Sequence, residues 1–340
     1  MNISFVVPPN YDFLIATLIE GLVDLGHNIV TSENSNYGIW LKRKEFINFS
    51  NKADLLVISS GSYCDYSILK QIKNDKVIFV DGSDFPSLDN LIEYSINLVF
   101  KRELLHQSSP LIHPMPFAAE KRYFNDFNNN RNIVSFISTQ NNYYRRSIYN
   151  FIKNTRSDLK DIFIGGTGER SYNGISGVPS DTPKYYSLLH SSIASINFPG
   201  KGWDCARYWE IIANKACLIT PKIEIIIPNQ FIEGVHYLSF SNLSELNERI
   251  QFCLDNPDSA KEIANKAYDH LLKYHTTKER ANYFLEVIDS RLVIGDFIQL
   301  KNRTKIRSRS FYLAKRYAYY FWKKFVEKYF SSILRGVTNE

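Results

Sequence analysis

Short apolar runs along this chain alternate with longer stretches in which apolar residues recur every three or four positions. "NISFVVP" (Asn2–Pro8) is a continuous apolar run of strand length, as expected of a strand buried on both faces. "YDFLIATLIEGLVDLGH" then takes helical spacing and stops at Gly26, where a left-handed terminal residue is easiest. "NIVTS" returns as a strand. "DLLVIS" (Asp54–Ser59), "VIFVD" (Val77–Asp81) and "INLVF" (Ile96–Phe100) follow at the spacing of βα units. Parallel strands need crossover connections of this length, so the pattern predicts a parallel sheet wrapped by helices.

Both periods break at "HPMPFAAEKRYF" (His113–Phe124) and the polar "NDFNNNR" that follows, which places a domain boundary after residue 122. A second series begins at "NIVSFIS" (Asn132–Ser138). "YYRRSIYNFIKN", "KYYSLLHSS" and "CARYWEIIAN" read as helices between the strands "DIFIGG", "ASINFP" and "ACLIT". Two or three helices fill 244–292, with a break near Asn256-Pro257. The expected fold class is α/β: two Rossmann-like domains, 1–122 and 123–296, facing a central cleft, with a basic aromatic helix in a tail over 297–340. Ligands of such sheets bind at the carboxyl ends of the strands.

Composition adds three points. A length of 340 residues suits two domains. The four cysteines have no paired spacing and read as thiols in a reducing compartment. The first residues lack a basic leader and cleavage site, and no run reaches about 18 apolar residues; the expectation is a cytoplasmic protein. Charge is uneven. Residues 301–340 hold 11 Lys/Arg against 2 Asp/Glu, whereas residues 1–300 hold 30 against 33. The basic surplus therefore lies in the tail.

The segment richest in chemistry is "FPGKGWDCARYWE" (Phe198–Glu210). A strand ends near Phe198, Gly200 and Gly202 bracket a turn, and a helix starts near Asp204. Backbone N–H groups at a helix start attract phosphate. Arg207 adds a forked donor suited to a diphosphate, and Glu210 can accept from the hydroxyls of a ribose or sugar. A plainer reading makes Asp204 a cap and Arg207–Glu210 a surface ion pair.

Five stretches carry a resemblance: "YYSLLHSSIASINFPG", "ARYWEIIANKACLIT", "FIEGVHYLSFSNLSELNERIQFCLDNPDSAKEIA", "YHTTKERANYFLEVI" and, less closely, "LVDLGHNIVTS". Together they make 185–288 similar to the C-terminal domain of glycosyltransferases with the GT-B fold, most of all the CgeB-like group related to a spore-maturation protein. The resemblance implies a sugar transfer from a nucleotide-diphosphate donor to an acceptor hydroxyl. Its R-x-x-E motif falls on Arg207, beside the donor phosphates, and Glu210, on the donor ribose. Its Gly-rich loop falls on Gly200–Asp204, which includes Gly202. An arginine early in the domain's first helix, Arg145 or Arg146, would reach the diphosphate, with Ser138 and Thr139 facing the same crevice. Two positions depart from the pattern. Many retaining relatives carry a second glutamate where this chain has Gly202, and a glycine where it has Lys215; Asn214, tolerant of left-handed backbone, would then help make that turn.

Other candidates carry less. "GGTGE" (Gly165–Glu169) lacks the spacing of a P-loop or dinucleotide fingerprint and reads as a turn at the cleft. No D-x-D triplet and no histidine ligand spacing occurs, so neither metal nor cofactor is expected. "DGSD" offers Asp84 as a base for the acceptor hydroxyl, against a turn with an Asx cap. His27 reads as structural, and His275 as a helix start capped by Thr276 or Thr277. In the tail, the 308–337 helix sets Phe311, Ala314, Ala318, Trp322, Phe325, Tyr329 and Ile333 in one stripe flanked by lysines and arginines. That suits an anionic membrane surface and a glycan or lipid-linked acceptor, as in bacterial surface glycan or glycolipid synthesis; a final helix packed across both domains is the competing reading. Nucleic acid is not expected, because the body is mildly acidic. The alternative to an enzyme is a non-catalytic GT-B-like glycan- or protein-binding protein.

Overall fold

The computed structural model describes residues 1–33, 37–61, 63–88, 94–125, 130–139, 143–155, 160–166, 176–177 and 182–300. The predicted tail helix and all of "GGTGE" after Gly166 lie outside them. The N-terminal half runs β1 (Asn2–Val6), α1 (Phe13–Asp24), β2 (Asn28–Thr31), α2 (Arg43–Ser50), β3 (Leu55–Ser59), β4 (Val77–Asp81), β5 (Tyr94–Ile96), β6 (Leu98–Lys101) and β7 (Ile112–Pro114). Six of these strands form a parallel sheet in the order β2-β1-β3-β4-β6-β7. The continuous apolar runs read from the sequence are its central strands, buried at every position of β3, β4 and β6.

The second series is β8 (Ile133–Ile137), α3 (Tyr143–Thr155), β9 (Ile162–Gly166), β10 (Ser176–Gly177), α4 (Pro183–His190), β11 (Ser192–Ile196), α5 (Ala206–Ala213), β12 (Cys217–Pro221) and β13 (Tyr237–Phe240). Its sheet is also parallel, in the order β10-β9-β8-β11-β12-β13. Helices α6 (Leu243–Asp255), α7 (Pro257–Tyr274) and α8 (Thr277–Arg291) follow, and β14 (Ile298–Leu300) ends the described chain. Pro257 opens α7 one residue after Asn256 closes α6, which is the break expected there.

Local chemistry accounts for the helix ends. Asp12 caps α1 by accepting from the amides of Leu14 and Ile15, and Gly26 past its end has φ +80°. Thr276 caps α8 through the amide of Glu279. One turn differs from expectation. Asn214 keeps φ −97°, and Lys215 itself adopts the left-handed φ of 54°. Asn214 is held by two bonds from its Nδ2, to the carbonyls of Tyr123 (3.0 Å) and Glu210 (2.7 Å). The strain therefore falls on Lys215, whose ammonium lies 4.4 Å from the Tyr268 ring centre.

Helix α8 returns to the N-terminal half and lies against α1. The crossing is close enough that a Cβ on Gly21 would sit 2.0 Å from the Thr277 carbonyl oxygen. Past α8, β14 pairs antiparallel with β5. One apolar cluster runs without interruption from Phe5 and Phe100 of the first sheet, through Phe284 of α8, to Trp209 of α5. The two halves thus share a core beneath the cleft.

Candidate active site

From β8 the chain steps outward to β9 and β10, then crosses back to β11 on the other side of β8. The connections leaving β8 and β11 diverge at this point, which opens a crevice at their carboxyl ends. Ser138 and Thr139 leave β8, Arg145 stands in the first turn of α3, and 197–205 link β11 to α5. Arg145 donates from Nη1 to Thr139 Oγ1 (2.8 Å) and from Nη2 and Nε to the Phe198 carbonyl (2.9 and 3.3 Å). It ties the two loops together across the crevice. Gly200 leaves room for it: a Cβ there would lie 3.4 Å from Nη2.

Burial, and then the neighbouring charge of Arg207, push the Arg145 guanidinium down to about 10, so it remains cationic at neutral pH. Arg207 lies in the first turn of α5, partly buried, and forms no ion pair among the described residues. Its Nε is buried without a hydrogen-bond partner, as is Ser138 Oγ. The ion pair with Glu210 allowed by the plainer reading is not made. Two guanidinium groups repel each other here while buried donors stand unspent, and an anion between them would relieve both.

The expected site residues divide. Ser138, Thr139, Arg145 and Arg207 come together at the crevice. Glu210 stands one turn further along α5, 5 % exposed, and its Oε2 accepts from the Tyr185 hydroxyl. Burial first, and then the Glu210 charge, hold that hydroxyl well above the usual tyrosine range. Asp204 does not cap α5; Cys205 takes that position, and its thiol donates to Asn197 Oδ1 (3.1 Å) rather than capping the helix. Both Asp204 oxygens are used within the protein: Oδ2 accepts from the Phe117 amide (2.6 Å) and Oδ1 from Trp209 Nε1 (2.8 Å). It ties α5 to the N-terminal half.

The amides expected to take phosphate are occupied as well. Glu103 Oε2 accepts from the Trp203 amide (2.9 Å) and Oε1 from the Asp204 amide (3.1 Å). Gly202 has to be small for this reason, since a Cβ would lie 2.4 Å from Glu103 Oε1. Burial pushes the Glu103 carboxyl up, against the pull of Arg102 beside it.

Glu103 belongs to a charged rim at the carboxyl end of the first sheet. Lys101 and Asp81 form a fully buried pair (3.1 Å), and Asp81 also accepts from the Ser83 amide, which is the Asx turn weighed for "DGSD". Asp84 stands beyond it with its side chain 40 % exposed, paired to Arg102. Arg102 in turn donates to the Asp204 carbonyl (3.3 Å). Sequence reasoning missed Arg102, Glu103 and Tyr185. A signal existed for the first two: "KRE" follows directly on the apolar run of β6, so its charges fall at the cleft-facing end of a strand.

Comparison with known proteins places this geometry. Residues 146–286 match a family described as Glycosyl transferase-like. No curated protein matches the sequence. Among solved structures, HepE from Anabaena in complex with UDP-glucose superposes with TM-score 0.60 at 11 % identity, covering 85 % of this chain and all of that one. A glycosyltransferase from Rickettsia africae gives 0.59 at 14 % (86 % and 98 % covered), and sucrose-phosphate synthase from Thermosynechococcus elongatus gives 0.52 at 10 % (85 % and 98 %). At such identities it is the architecture that is shared. The protein has the GT-B fold, and residues 146–286 of its second half, which include Arg207 and Glu210 and begin one residue after Arg145, are similar to the Glycosyl transferase-like family.

Proposed function

We propose that the protein transfers a sugar from a nucleoside-diphosphate donor to an acceptor hydroxyl. The observation that carries this reading is the Arg145–Arg207 pair in the crevice between β8 and β11, where, among the described residues, Arg207 forms no ion pair and the buried Arg207 Nε and Ser138 Oγ have no hydrogen-bond partner. A diphosphate placed there receives two guanidinium groups and the Ser138 hydroxyl. Glu210, one turn along the same helix, takes the ribose. As the bond from the sugar's anomeric carbon to the diphosphate breaks, charge grows on the leaving oxygen. Fixed cations already in place stabilise that charge without reorganising. The acceptor oxygen bonds to the anomeric carbon from the N-terminal side and gives up its proton. Asp84 is the base in this reading, because it is the more exposed carboxylate on that rim while Asp81 and Glu103 are buried and bonded. The two arginines supply the positive charge a metal would otherwise provide, so the reaction proceeds in EDTA.

Solved neighbours bind UDP and UDP-glucose, which favours a nucleotide-sugar donor here. In this reading 1–122 is the acceptor domain, 123–296 the donor domain and 297–340 a basic tail. The tail holds the enzyme at the inner face of an anionic membrane, where a lipid-linked or envelope-glycan acceptor is presented. A thermal-shift screen with UDP-, GDP- and dTDP-sugars, and a CMP-sugar as the monophosphate control, tests the donor, since a true donor raises the melting temperature by mass action. If no compound of the panel shifts it, the reading fails, and a glycan- or protein-binding role for the fold takes its place.

A further inference from the structure

The Glu103 contact crosses from one half of the molecule to the other and ends on the loop that leads into α5. Its two oxygens each take one of two consecutive amides, those of Trp203 and Asp204, immediately before the helix that carries Arg207. The neighbouring Arg102 reaches the same loop at the Asp204 carbonyl, and Asp204 returns the tie through the Phe117 amide. Gly202 completes the fit by leaving the space that the carboxylate fills. An ordinary surface ion pair does none of this. Here a buried acid is satisfied by backbone donors of the other half, so breaking the contact leaves a carboxylate and two amides unmatched together.

We propose that Glu103 is a positioning residue of the donor site: its carboxylate, carried by the N-terminal half, sets the shape of loop 200–204 and thereby the place of Arg207 at the diphosphate. The inference rests on the donor reading of the crevice given above. It also divides the work of the loop. The amides of 203 and 204 serve Glu103, and the diphosphate is read by the arginines. Donor binding is then sensitive to the N-terminal half even though no residue of that half touches the diphosphate.

Two substitutions approach the contact from opposite sides. Glu103→Gln keeps the volume and one acceptor but sets an NH2 group against the second amide. Gly202→Ala places a methyl where the carboxylate lies. Calorimetric titration compares wild type with both variants, using UDP, GDP and dTDP, each alongside its nucleoside. The expected result is a loss of roughly tenfold in nucleoside-diphosphate affinity in both variants, with nucleoside affinity unchanged, as follows from displacing Arg207 at the end of that loop. A general loss of structure would weaken nucleoside and diphosphate alike, and that outcome overturns the assignment. So does unchanged diphosphate affinity in a folded variant. Tighter diphosphate binding overturns it too, because Glu103 would then be an internal anion blocking the amides. A wild-type protein that binds no nucleoside diphosphate overturns the donor reading itself, and this inference with it; that failure is read from the wild-type arm alone.

Discussion

At the scale of single residues, the proposed donor reading gives different parts of the nucleotide to Arg207 and Glu210. Arg207→Ala removes a cation that has no ion pair among the described residues, so it should weaken binding of a nucleoside diphosphate while leaving the nucleoside nearly untouched. Glu210→Ala should weaken both, by about 1.5–3 kcal/mol for hydrogen bonds to a charged acceptor. Because Glu210 also accepts from Tyr185, the cleaner measurement sets Glu210→Ala in a Tyr185→Phe background, where no buried hydroxyl is orphaned. Titration calorimetry reads both, and equal losses for Arg207→Ala on nucleoside and diphosphate would remove its phosphate role. A second residue-scale consequence lies away from the crevice. His275 is fully buried, its Nε2 donating to the Asn229 carbonyl and its Nδ1 accepting from Arg280. Burial, then the Arg280 charge, hold it well below 6.5, and burial and the nearby His270 lower His236. Below 6.5 the unfolded chain therefore binds more protons than the folded one. This contribution to stability is complete above that pH and is lost as the pH falls through it, by about 1.4 kcal/mol per pH unit for each group. Asp12, Glu103 and Asp204, pushed up by burial, act in the opposite sense. The difference between wild type and His275→Gln isolates the histidine: their denaturation midpoints should converge as the pH is lowered from 7 to 5, and parallel curves would argue against this linkage.

At the scale of elements, the crossing of α1 and α8 is the most exacting contact in the fold. A methyl at Gly21 meets backbone, the Thr277 carbonyl, as well as the Ala281 side chain, and neither helix can yield without disturbing the shared core. Gly21→Ala should destabilise by about 1–3 kcal/mol or more, despite the higher helix propensity of alanine; a melting temperature equal to that of wild type would show that the helices stand further apart. Nothing in the sequence around Gly21 marks this, since an isolated glycine in a helical pattern gives no sign of what lies against it. Elements whose signals are local were legible. Apolar runs gave the central strands, Thr276, one of the two threonines expected to cap α8, does so, and Pro257 breaks the helix it was expected to break. The turn that carries Arg207 was legible because a strand end followed by a helix start is itself a sequence pattern, whereas Arg145, with Arg146 as its alternative, entered only through the family resemblance. The plainer reading of Asp204 as a cap failed for the same reason: an acid before a helix looks like one, and only the approach of Phe117 from the other half shows what it binds. Glu103 and Tyr185 were hidden because their partners lie 100 and 25 residues away.

At the scale of the whole molecule, the basic surplus of 301–340 makes a prediction independent of the crevice. The full chain should sediment with vesicles rich in anionic lipid at low salt and be released by high salt, each lysine or arginine near the surface contributing about 1 kcal/mol. Recovery in the supernatant at low salt would leave the membrane reading without support. The shared core and the returning helix α8 have a further consequence. The chain passes between its halves twice, after β7 and again before α8, and the two passages are bonded to each other where the Ala119 amide meets the His275 carbonyl (2.9 Å). Two strands of chain fastened side by side act as the spine of a book. Any opening of the cleft that keeps this stitching must be a rotation about Ala119–His275. Hydrogen exchange should show this as a contrast in tempo: slow at the Ala119 amide, and faster at Trp203 and Asp204, whose amides are freed each time the pages turn.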